Sequence, residues 1–228
     1  MAEIIENEEL MTRLSSSHEN DLPSYEESVV PTPLMRLNSC RLSATSMALA
    51  SISQGHDIQY QIASKGGWQL LNSRSSSELI IQHKKPFCVG TMEFDNSSSF
   101  PWFPRANVTV DIPGYGTKKV QMKSQNFIDW EFKWSDSVSD PTLQWTVQSC
   151  PITLATLALL DKSRGLCLAR FIYSSRGMKA EKGLSIGNLD IFAVEAYGLT
   201  MEAIICSCSI ALKYWQNIGR DYRNPDVA

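Results

Sequence analysis

The sequence predicts a mostly β protein, an antiparallel sandwich or barrel, with one hydrophobic helix near the C-terminus. Two observations lead there. Short runs of alternating apolar and polar residues recur from Ile58 onward, separated by turn residues about every eight to twelve positions. The chain then ends in a helical stretch that is apolar on almost every side. With 228 residues, 43% hydrophobic and 20% charged, it is long enough to bury a substantial core.

The first segment carries a charge that the total hides. Residues 1–30 hold eight acids (Glu3, Glu6, Glu8, Glu9, Glu19, Asp21, Glu26, Glu27) and one base, Arg13, a balance of −7. Removing these from the totals of 21 bases and 24 acids leaves 20 and 16, so the remainder stands at +4 against an overall −3. Residues 1–33 are therefore expected to form a disordered acidic arm, ended by Pro31 and Pro33, ahead of one domain over 34–228. Residues 39–56 are serine-rich and fit a linker, a first strand or a short surface helix.

The strand series begins with the clean alternation Ile58–Ile62 and a Gly66-Gly67 turn before Trp68–Leu71. Glu78–Gln82 and Phe87–Met92 flank Lys84-Lys85-Pro86. Val108–Ile112 and Lys119–Met122 flank the hairpin loop Pro113–Gly116. Phe127–Trp134, Leu143–Val147, Ile152–Leu159, Leu166–Ile172 and Leu189–Val194 continue the series. Ile152–Leu160 is apolar enough to suit a short helix as well.

Gly198 to Gly219 reads as one helix bounded by glycines. From Ala203 to Leu212 its only polar side chains are Ser207 and Ser209, and Glu202 and Lys213 bracket the stretch. A bilayer span needs about 20 apolar residues, so this stretch is too short to cross one. Burial inside a β protein is the other solution, and a closed barrel offers strands on every side.

The order of many strands followed by one hydrophobic helix resembles the tubby C-terminal-like superfamily, specifically its fungal tubby-like members. That superfamily also holds plant LURP-one-related proteins and phospholipid scramblases. The likeness rests on Trp130-Glu131-Phe132-Lys133-Trp134, Leu143-Gln144-Trp145, Gly187-Asn188-Leu189-Asp190-Ile191 and the helix from Leu199 to Trp215. An acidic arm bearing Leu22-Pro23-Ser24-Tyr25-Glu26-Glu27 is similar to that of the fungal members. The resemblance covers about residues 34–220 and implies a twelve-stranded barrel around a central helix. It also implies a non-enzymatic binding module, with phosphoinositides as the ligands of tubby domains. The calcium-binding segment and the usable membrane-spanning helix of scramblases have no counterpart in the sequence.

Two sets of residues carry the binding expectations. Lys118, Lys119 and Lys123 follow one turn and Lys84 and Lys85 occupy another. Basic loops on one rim attract anionic lipid at about 1 kcal/mol per charge. Leu22, Pro23 and Tyr25 form the LPxY variant of the PPxY ligands that WW domains take in extended form, which predicts recruitment of a WW-containing ubiquitin ligase or its adaptor. The basic segment with Arg176, Gly177, Lys179, Lys182 and Gly183 lacks the GxxxxGK[ST] frame of a phosphate-binding P-loop.

Other classes have little in their favour. A net +4 over a large body makes no basic stripe for nucleic acid. The six cysteines form no CxxC, and the three histidines lie far apart, so neither a metal site nor a cofactor is expected. Cys206 and Cys208, two apart on a helix, point in opposed directions. No GxSxG or other catalytic frame is present, leaving a hydrolase of unknown type as a distant alternative. No basic start followed by an apolar run opens the chain, so the expectation is a cytoplasmic protein, peripheral at the inner membrane surface.

Overall fold

The protein is described by a computed structural model over residues 32–52, 58–65, 78–83, 88–95, 105–112, 116–124, 129–134, 141–148, 155–192, 197–217 and 222–224. The acidic arm, with the motif residues Leu22, Pro23 and Tyr25, lies outside them. So do Trp68–Leu71, Lys84 and Lys85.

Twelve antiparallel strands precede one helix. They are β1 (Met35–Ser43), β2 (Ser46–Ser51), β3 (Ile58–Lys65), β4 (Glu78–His83), β5 (Cys88–Asp95) and β6 (Arg105–Ile112). The second half is β7 (Gly116–Ser124), β8 (Trp130–Phe132), β9 (Leu143–Gln148), β10 (Thr156–Asp161), β11 (Cys167–Tyr173) and β12 (Ser185–Ile191). The helix α1 spans Met201–Asn217. Each strand pairs with its neighbours in sequence, and β1 also pairs with β12, so the order returns to its start as a barrel. The ladder is thinnest at β8, which meets β7 through Lys123–Glu131 and Ser124–Trp130 alone.

The ambiguous segment 39–56 contributes the second half of β1 and all of β2. Its strand character is masked because small polar residues sit on the inner face. Ser39 and Ser51 are buried, and the Ser39 hydroxyl donates to Met47 Sδ at 3.6 Å. Between the two strands, Ser43 Oγ accepts the Thr45 N–H at 3.2 Å, a local turn bond that suits serine. The described part of the apolar run 152–160 forms a strand, not a helix, from Thr156 onward. Leu157 and Leu159 face the core, and Ala158 is buried as well, so alternation is erased. Within the expected strand Phe127–Trp134, β8 covers Trp130–Phe132, and β12 starts four residues ahead of the expected Leu189.

Every residue of α1 from Ala203 to Leu212 is buried. Strands reach the helix from several directions: Tyr60 on β3 bonds Glu202, Trp130 on β8 stands edge-on to Tyr214, and Trp145 on β9 bonds Ser207. The two helix serines are satisfied internally. Ser207 Oγ accepts Trp145 Nε1–H at 2.9 Å and donates to the Ile204 carbonyl, while Ser209 Oγ donates to the Ile205 carbonyl at 2.7 Å. No buried hydroxyl of the helix is therefore left without a partner.

On the outer face, Asp190 of β12 stands opposite Arg36 of β1 and Arg170 of β11. Its carboxylate is fully buried and accepts Arg36 Nε and Nη2 at 2.6 and 2.9 Å, with Arg170 Nη2 at 3.6 Å. Both guanidinium groups keep some contact with water, which limits what the charge itself contributes. Replacing the carboxylate, as in Asp190→Ala, is expected to cost about 1–3 kcal/mol. Urea unfolding reads this as a lower midpoint at unchanged slope.

Candidate binding surfaces

The two ends of the barrel are built differently. At the end where α1 begins, the Gly198 carbonyl accepts Trp134 Nε1–H at 2.8 Å, and Thr200 Oγ1 accepts the Ala203 N–H as a helix cap. Asp161, fully buried at the end of β10, accepts the Ser163 N–H at 2.8 Å, the Ser163 hydroxyl at 2.6 Å and the Tyr197 hydroxyl at 2.9 Å. One carboxylate thus fixes the β10–β11 turn to the segment that leads into the helix. Burial pushes its pKa up, but the bonds from Ser163, Tyr197 and the Arg164 N–H outweigh that and hold it below the ordinary 3.8.

At the opposite end, Asn224 bridges two strand ends. Its Nδ2 donates to the Tyr173 and Ala155 carbonyls, its Oδ1 accepts the Ala155 N–H, and its own N–H donates to the Ser174 carbonyl at 3.1 Å. Tyr222 lies against the rings of Tyr173 and Trp215. Gly177, at φ +51°, leaves room for this segment, because a Cβ there would stand 2.0 Å from the Tyr222 carbonyl oxygen.

The lysines of the hairpin lie on strand β7, not in a loop. Alternation sends Lys119 and Lys123 outward, with Val120 and Met122 inward. Lys118 has the inward parity near the strand's start, and its ammonium sits 4.2 Å from the centre of the Trp134 ring. Lys119 and Lys123 are four residues apart, about 13 Å along the strand, so the three lysines do not converge on one point.

Their cross-strand neighbours were not foreseen from the sequence. Arg105 pairs with Lys123, Asn107 with Gln121 and Thr109 with Lys119. The outer face of β6–β7 therefore carries Arg105, Lys119 and Lys123 among neutral polar groups. None of the three forms an ion pair among the described residues. On the β8 side, Glu131 faces Lys123 in register but engages Lys162 at 2.6 Å. Arg105 was missed because it precedes the alternating core of its strand and is 18 residues from Lys123 in sequence.

The basic segment at 176–183 forms a single 3-10 turn, Gly177–Lys179, with Arg176, Lys179 and Lys182 exposed. Trp130, Trp134, Trp145 and Trp215 are core residues, and Cys206 and Cys208 are buried inside the helix. Burial pushes the Cys208 thiol well up, away from the reactive thiolate. Among the described residues, no helix is long and apolar enough to cross a membrane.

No family model, no curated protein and no solved structure matches this chain.

Asp161 supplies a pH-dependent test. A carboxylate with a depressed native pKa adds stability above its unfolded value, and that stability disappears as pH falls. Asp161→Asn is expected to lower stability at pH 7 by about 1–2 kcal/mol. The difference from the parent protein should shrink as pH drops below 3.8, as followed by urea unfolding across that range.

Proposed function

We propose that this chain is a tubby-like, non-enzymatic binding module that associates peripherally with anionic membrane surfaces, phosphoinositide-containing ones included. The observation that carries the reading is the outer face of β6–β7. Arg105, Lys119 and Lys123 are exposed there on two paired strands, and Asn107, Gln121 and Thr109 are the intervening groups. Side chains held on a sheet face meet a flat charged surface together, and each basic charge near an anionic leaflet contributes about 1 kcal/mol. The tubby-like part of the reading rests on the twelve-strand order and on the buried C-terminal helix.

A second reading makes the chain an adaptor that recruits WW-domain proteins through Leu22, Pro23 and Tyr25. The two readings separate cleanly by truncation. Removing residues 1–33 abolishes WW-domain capture and leaves membrane association in place. Tyr25→Ala alone abolishes capture in pull-down with isolated WW domains if that reading holds.

Neutralising the face with Arg105→Gln, Lys119→Gln and Lys123→Gln together is expected to weaken binding to vesicles containing phosphoinositide about a hundredfold at low salt. Co-flotation of the parent protein should fall steeply with added salt. Equal flotation of the parent with neutral and anionic vesicles would contradict the reading.

A further inference from the structure

Among the described residues, five large apolar side chains stand exposed: Leu34, Ile52, Ile58, Leu166 and Leu184. Single exposed apolar groups are ordinary on a protein surface, but a cluster is not. Four of these five gather at the end of the barrel where α1 begins, and backbone bonds place them there. The Leu34 N–H donates to the carbonyl of Ile191, the last residue of β12, at 2.8 Å. The Ile52 N–H donates to the Arg36 carbonyl at 3.2 Å, beside the start of β1. Ile58 opens β3 in register with Ala50. Leu166 directly precedes β11, and its carbonyl accepts the N–H of Asp161, the residue that holds the Tyr197 hydroxyl ahead of α1. Leu184 alone lies at the opposite end, before β12.

Register sets the spacing. Neighbouring strands lie about 4.8 Å apart, and two residues along a strand add about 6.7 Å. Leu34 is therefore about 8 Å from Ile52, Ile52 about 8 Å from Ile58, and Leu166 about 12 Å from Leu34 across β12. Cations stand among them. Arg36 pairs across from Ile52, Arg164 shares the β10–β11 turn with Leu166, and Lys133 follows β8 at the same end, all three exposed. The carboxylates of this end are withdrawn from water. Asp161 and Asp190 are fully buried, and the half-buried Glu131 and Glu202 engage Lys162 and Tyr60. Among the described side chains, the one exposed carboxylate is Glu181, near Leu184 at the other end.

We propose that the end of the barrel where α1 begins is a membrane-docking rim. Leu34, Ile52, Ile58 and Leu166 enter the headgroup–acyl boundary of an anionic leaflet, while Arg36, Lys133 and Arg164 meet its headgroups. Charge complementarity selects this occupant. A second copy of the rim would set the same cations against one another, whereas an anionic leaflet pairs them and also takes up the apolar groups. This second contact rests on the membrane association proposed above and adds apolar insertion to it. The β6–β7 pair lies six strands from the β12–β1 pair around a barrel of twelve, so a flat membrane meets the basic face and the rim in different orientations.

The test is flotation of the full chain with vesicles of phosphatidylcholine, with and without phosphatidylserine. The parent should bind the anionic vesicles more tightly than the neutral ones. Leu34→Ser combined with Leu166→Ser changes side chains that are 69% and 47% exposed, so the Tm should stay at the parent's value. That variant should bind the anionic vesicles about tenfold more weakly. Leu184→Ser makes the same chemical change at the opposite end and should leave binding unchanged. Hydrogen exchange gives a second readout: anionic vesicles should slow the amides of residues 162–167 and not those of 176–183. A parent that floats with neither vesicle overturns the membrane association and the rim together. Anionic binding undiminished in the double variant, equally reduced by Leu184→Ser, or without protection at 162–167 overturns the rim alone and leaves the basic face as the contact.

Discussion

From Ala203 to Leu212, α1 has no face that meets water, and its two serines spend their hydroxyls on Trp145 and on the helix's own carbonyls. Such a helix cannot lie on one side of a sheet, where half its surface would stay exposed. It needs strands around it, which is the arrangement that eleven sequential antiparallel pairings and the β1–β12 pairing supply. The inward tryptophans follow from the same constraint. Trp130 and Trp145 fill the space between strand and helix with large rings, and Trp145 also donates its indole N–H to the Ser207 hydroxyl of the helix.

A helix held inside strands leaves two open ends, and the chain closes each by polar means. Where α1 begins, Trp134 and Asp161 bind the lead-in segment through the Gly198 carbonyl and the Tyr197 hydroxyl. Where it finishes, Asn224 and Tyr222 seat the C-terminal residues over the strand ends. The second end also accepts Arg41 and Lys213 into partial burial without a carboxylate for either among the described residues.

Much of the architecture was legible in the sequence, for identifiable reasons. Alternation exposed β3, β6 and β7, because one face of each is apolar and the other polar. The helix declared itself by an apolar stretch between Glu202 and Lys213. The first two strands were hidden by inward serines and by the buried alanines of β2, which carry no amphipathic signal. The tenth strand was ambiguous because an apolar run buried on both faces has no period to read. The binding surfaces were less visible still. Lys119 and Lys123 stood out, but Arg105, which pairs with Lys123, lies across a hairpin. Only strand register brings such a pair together.

The burial of α1 as the centre of the core is tested most directly by native-state hydrogen exchange. If the helix is surrounded by strands, the amides of residues 203–212 can open only when the barrel unfolds. Their opening free energy should then equal that of the central amides of β1, β10 and β12, and urea should lower both with the same slope. Helix amides that exchange through a smaller, denaturant-independent opening while the strands stay protected would contradict this account.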